Sequence, residues 1–128
     1  MAIDAGNAGD LVLATYKSGQ YIAELIEWTP PRAVVKILAV VKHPEQGDLH
    51  HPQEVEVPLF HQRRALAYQE KAVVPIGQLQ PYAGEVPDYR ESLQQALLQE
   101  MRLAEKRIAF WQRSLQELTQ LRQDYFGE

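Results

Sequence analysis

Apolar and polar positions follow two different periods along the chain, and the change falls near Pro87. Before it, short apolar runs alternate with turn residues. Leu11–Tyr16 and Tyr21–Trp28 flank Lys17-Ser18-Gly19-Gln20, which predicts a hairpin with Gly19 supplying the positive φ of its turn. Both faces of the first run carry apolar side chains, with Val12, Ala14 and Tyr16 on one and Leu11 and Leu13 on the other. A strand apolar on both faces suits a tightly curled sheet. Pro30-Pro31 then turns the chain, and Arg32–Lys42, rich in Val and Ile, predicts the central strand. Glu54–Pro58 alternates charge with valine and predicts a strand with one wet face, at an edge or ending at Pro58, which cannot donate to a ladder. A turn and a strand near Ala67–Val74 follow, and PIGQLQPY predicts a short 3₁₀ turn and a closing strand. Five short strands in so little chain predict a small SH3-like antiparallel barrel over residues 9–82, after a loose N-terminus over 1–8.

After a linker at 83–87 the period becomes helical, and residues 88–126 predict one long helix. Asp88 and Glu91 form an Asp-x-x-Glu capping box at its start. Leu97, Met101, Ala104, Ile108, Trp111, Leu115, Leu118 and Tyr125 recur at spacings of 4, 3, 4, 3, 4, 3 and 7, and Arg122 is the one polar break in this seam. At 1.5 Å per residue such a helix is about 55 Å long, against about 25–30 Å for the barrel. Part of its apolar stripe, centred on Ile108, Trp111, Leu115, Leu118 and Tyr125, therefore needs a further surface. A second copy of the chain is the expected partner, which makes a homodimer through this helix.

Composition narrows the function classes. The 128 residues carry a net charge of −4, which argues against nucleic acid as a partner, since phosphate recognition rests on clustered Lys and Arg. No cysteine is present, so disulfides, thiolate ligands, a cysteine nucleophile and a thiol for lipid attachment are all excluded. The opening MAIDAGNAGD has neither the basic nor the apolar region of a secretion signal, and no apolar run approaches the roughly 20 residues that span a bilayer. A cytoplasmic protein without direct membrane insertion is expected. Ser18, Ser92 and Ser114 lie in no nucleophile elbow, no Gly-rich phosphate loop occurs, and no enzyme activity or cofactor is expected.

The chemistry-bearing side chains gather in HPEQGDLHHP, residues 43–52, with His61 nine residues beyond. His43, His50 and His61 are the set for a metal- or proton-responsive module, although their spacing matches no zinc motif. The structural reading weighs more. Pro44 and Pro52 bracket a turn in which Gly47 suits a positive φ and Asp48 an Asx-type bond. A loop built this way presents His43, Asp48, His50 and His51 to a partner as an alternative. Tyr16, Tyr21 and Trp28 either fill the core or wall a peptide site. Their context, Gly9-Asp10 through Ala23, looks like the opening hairpin of Tudor and related SH3-like barrels.

GDLVLATYKSGQYIAELIE, HPEQGDLHHP, VPLFHQRRALAYQEK, PYAGEVPDYRESLQ and the terminal DYF together resemble the kinase-associated protein B family, also called kinase-associated lipoprotein B. The resemblance covers about residues 8–126. It implies an antiparallel β domain with an extended helix, in endospore-forming bacteria. It also implies association with a sensor histidine kinase whose signal enters the phosphorelay that starts sporulation. It carries no catalytic residue. A lipoprotein needs a signal sequence and a lipid-bearing cysteine, so for this chain the second name is not expected to describe an anchor.

Overall fold

A computed structural model describes residues 5–127, so residues 1–4 of the expected loose N-terminus lie outside the described residues. Five strands and one helix follow in order: β1 (Leu11–Tyr16), β2 (Gly19–Thr29), β3 (Arg32–Lys42), β4 (Lys71–Pro75), a 3₁₀ turn (Ile76–Gln78), β5 (Leu79–Pro81) and α1 (Tyr89–Phe126). The strands form one antiparallel sheet in the order β4-β3-β2-β1-β5. Its middle strand is β2 rather than β3, because β5 returns to pair with β1 and adds a strand on that side. β4 and β5 are the two edges, so the sheet is an open one, without the β4–β5 ladder that closing a barrel requires.

Side-chain alternation explains the core. Val12 and Ala14 of β1, Tyr21, Ala23 and Leu25 of β2, and Ala33, Val35 and Ile37 of β3 are all buried at period two, joined by Val74 and Leu79. Fully burying an aliphatic or aromatic side chain contributes about 1.5–3 kcal/mol, so this cluster is the main source of the sheet's stability. Register shifts in β2 between Gln20 and Tyr21, Ile22 and Ala23, and Leu25 and Glu27 bend and twist the strand at bulges. Ile22 and Ala39, paired across β2 and β3, are buried too, which is the second apolar face that the sequence carries.

The hairpin turn differs from expectation. Lys17 (φ 45°) and Ser18 (φ 70°) take the left-handed conformations, and Gly19 already belongs to β2, opposite Tyr16. Gly19 is small for another reason: a Cβ there would lie 2.6 Å from the Tyr21 hydroxyl. Ser18 offsets its strained conformation with two bonds, accepting from Lys42 Nζ at its carbonyl (3.2 Å) and from the Glu45 N–H at its hydroxyl (2.9 Å).

Glu54–Pro58 forms no strand. Alternation alone does not create a strand, and Val55 stands 81 % exposed with no apolar surface to cover it. The following strand starts at Lys71, not near Ala67, because residues 67–70 form a turn closed by bonds from the Glu70 N–H to Ala67 O (3.0 Å) and from the Ala67 N–H to the Glu70 carboxylate (2.8 Å).

Asp88 caps α1 as expected, accepting from the Glu91 N–H at 3.1 Å. Tyr89, Ser92, Leu93 and Ala96, spaced for one helical face, then meet the sheet. Ser92 is the polar centre of that contact. Its hydroxyl donates to Tyr89 O (2.7 Å) and accepts the Val40 N–H (3.0 Å) in a buried position. The chain divides by compactness into a unit ending at Leu97 and a second starting at Leu98, so the sheet and the helix's first turns belong together. Replacing Ser92 with alanine nearly keeps the volume but leaves the Val40 N–H without its acceptor. A loss of about 1–3 kcal/mol is expected in urea unfolding, and a change within about 0.3 kcal/mol would show that this bond holds nothing.

Candidate functional site: a cationic cleft and an exposed helical seam

Two surfaces carry the residues of interest. The first is built on the histidine loop. Gly47 adopts φ 95°, and Asp48 makes the Asx-type bond by accepting the His50 N–H at Oδ1 (2.9 Å). Asp48 Oδ2 also bonds His51 Nδ1 (3.0 Å), and the His51 N–H returns to Asp48 O (3.0 Å). Those bonds from His51 and from the His50 backbone hold the Asp48 carboxyl below its ordinary value. His43 turns inward, its Nδ1 2.9 Å from Pro44 O, while His61 uses its carbonyl to accept the Gly47 N–H (2.9 Å). His43, His50 and His61 are thus not assembled around one point. Among the described residues no three His, Asp or Glu side chains are placed to hold a metal ion.

The loop's work is to fix the segment that follows it. Gln46 clasps Arg63 at both backbone groups, accepting its N–H at Oε1 (2.8 Å) and donating from Nε2 to its carbonyl (3.0 Å). Three residues on, the Leu66 N–H donates to the buried Tyr21 hydroxyl (3.2 Å), and the Tyr89 hydroxyl donates to Leu66 O (2.5 Å). Burial pushes the pKa of both phenols up, so both stay protonated at neutral pH. Segment 63–66 is therefore held by β2, by the loop and by the start of α1.

A cleft of about 250 Å³ opens between this segment and the β1–β2 turn, lined by Tyr16, Lys17, Tyr21, Pro44, Arg63, Arg64 and Leu66. Tyr21 belongs to the core, and its hydroxyl bonds a backbone group; Tyr16, half-buried, is the aromatic wall, with Lys17 Nζ 5.3 Å from its ring centre. Sequence reasoning singled out the two tyrosines but missed Lys17, Arg63 and Arg64. The available signal was the Arg63-Arg64 pair in an acidic chain.

The second surface is the helix past Ala96. Ile108, Trp111, Leu115, Leu118 and Tyr125 are 56–67 % exposed. Leu103, Phe110 and Leu121 form a second exposed apolar row beside them, and the Phe110 and Trp111 rings meet edge to face at 5.2 Å. The opposite face satisfies itself through pairs four residues apart: Arg113 with Glu117 (3.0 Å) and Gln120 with Asp124 (2.9 Å). No helix among the described residues is long and apolar enough to cross a membrane.

The family model for kinase associated protein B matches residues 16–126, and the chain belongs to that family. It is 46 % identical over 120 residues to "Kinase-associated lipoprotein B" of Bacillus subtilis (strain 168), covering 93 % of this chain and 94 % of that one. It is also similar to the crystal structure of kinase-associated protein B from Bacillus cereus. There the TM-score is 0.69 and the identity 42 %, with 94 % of this chain and 98 % of that one covered.

The lowered Asp48 pKa sets a direction. Bonds to its carboxylate support the loop fully above the ordinary value of 3.8 and are lost as pH falls through the lower folded value. In an acid titration followed by NMR, the His50 and His51 amides should move together below 3.8, and Asp48→Asn should remove that step; a step that survives the substitution would contradict the assignment.

Proposed function

We propose that the chain is a non-enzymatic accessory protein that works by protein–protein contact in the cytoplasm. Its partner is a sensor histidine kinase, and its signal enters the phosphorelay that starts sporulation. Family membership supports the kinase association, through the names its relatives carry. The sheet domain, residues 9–82, is the open counterpart of an SH3-like barrel, followed by the linker 83–87 and the helix 88–126.

The observation that carries the reading is the exposed seam of α1. A second copy of the chain is its occupant. Leu97 to Tyr125 spans four heptads of a 4-3 apolar repeat, broken only at Arg122, the spacing by which two helices of this kind bury each other's seams. Ile108, Trp111, Leu115, Leu118 and Tyr125 are the anchors, since large apolar and aromatic side chains dominate such interfaces. The histidine loop, with His43, Asp48, His50 and His51, and the neighbouring Tyr16 and Tyr21 form the second contact face.

Two measurements test this. Trp111→Asp is expected to weaken self-association by about 2 kcal/mol or more and to shift light scattering from dimer to monomer. A variant mass equal to that of the parent protein would count against the seam. In a pull-down, the cytoplasmic portion of the sensor histidine kinase should be retained by the intact chain; its failure to bind would remove the kinase from the account.

A further inference from the structure

The cleft beside the hairpin turn contains more positive charge than the fold explains. Lys17, Arg63 and Arg64 all line it, and none of its seven lining residues is acidic. No described acid forms an ion pair with any of the three. Acids are not scarce: the chain carries 17 against 13 bases. Three acids close in sequence to the lining residues Pro44 and Leu66 are engaged elsewhere. Glu45 lies 3.7 Å from Lys42, Glu70 accepts from the Ala67 N–H, and Asp48 faces His51. Three like charges around one small cleft repel one another, and an anion placed there relieves that repulsion.

The rest of the cleft suits an occupant that is not a bare ion. Tyr16, Tyr21, Pro44 and Leu66 give it an apolar wall. The backbone of the two arginines is already fixed, through the double clasp of Gln46 on Arg63 and the Tyr21 and Tyr89 bonds to Leu66. A site organised beforehand costs less entropy to occupy. Arginine is also the cation whose planar fork matches a carboxylate with two parallel bonds.

We propose that this cleft binds an acidic segment of a partner protein, with a carboxylate side chain taken by Arg63, Arg64 and Lys17 and an adjacent apolar side chain laid on the Tyr16–Leu66 wall. The proposal rests on the accessory-protein reading only in making the occupant a protein. It does not use the helix, so loss of self-association in light scattering and loss of binding at the cleft are separate results.

The test is an NMR titration of the ¹⁵N-labelled full chain with a capped peptide alternating glutamate and leucine, with the same peptide carrying glutamine for glutamate, and with inorganic phosphate. The acidic peptide should shift the amides of Tyr16, Lys17 and residues 63–66. Its affinity should fall as salt is raised and drop about tenfold in Arg64→Glu, the loss of one charge-assisted contact. Lys17→Glu, on the facing wall, should weaken binding in the same direction and serves if Arg64→Glu does not fold. Equal shifts from the glutamine peptide would overturn the proposal, as would shifts that avoid these residues or an affinity unchanged in the variants. Phosphate binding without peptide binding would also overturn it, making the cleft a small-anion site instead.

Discussion

The start of α1 packs on the sheet through Tyr89, Leu93 and Ala96, and an apolar repeat runs on along the helix to Tyr125, broken at Arg122. The first turns are held by specific means: the Asp88 cap, the buried bond from Val40 to Ser92, and the apolar face of Leu93 and Ala96. From Leu97 onward the large apolar side chains along the seam are exposed. Helices draw most of their stability from packing an apolar face, and a lone helix has little of its own beyond propensity and pairs such as Arg113–Glu117. The exposed seam is thus the feature on which the proposed pairing of two chains rests.

The same helix start also organises the second surface. Tyr89, one residue past the cap, donates to Leu66 O while Tyr21 of the core accepts from the Leu66 N–H. A single residue of an irregular segment is thereby fastened to the sheet on one side and to the helix on the other. The histidine loop contributes through Gln46, whose amide bonds both backbone groups of Arg63. Its histidines matter less as ligands than as parts of a scaffold: Asp48 gathers His50 and His51 into a turn, and Gly47, at φ 95°, sits where a Cβ would lie 3.0 Å from the Phe60 ring.

Much of this was legible in the sequence, because much of it is set by local periodicity. Arg32–Lys42 is so rich in Val and Ile that its bounds as a strand were readable directly, and Asp88 announced the helix that it caps. The errors fall where distant residues decide. Lys17 and Ser18, not Gly19, take the positive φ, because Gly19 has to lie beneath the Tyr21 hydroxyl. Glu54–Pro58 has the alternation of a strand but no neighbour for its ladder. β2 becomes the middle strand only because β5 comes back to β1, a pairing between residues that lie far apart in sequence. The cleft was the least legible feature, since its cations come from the hairpin turn and from a segment more than forty residues later.

The central claim is that the seam of α1 is an interface between two copies of the chain. Sedimentation equilibrium of the unmodified protein, run over a range of concentrations, tests it most directly. A reversible rise toward twice the 14.6 kDa chain mass is the expected result. A species that stays at 14.6 kDa up to high concentration, with the helix still fully formed by circular dichroism, would contradict it.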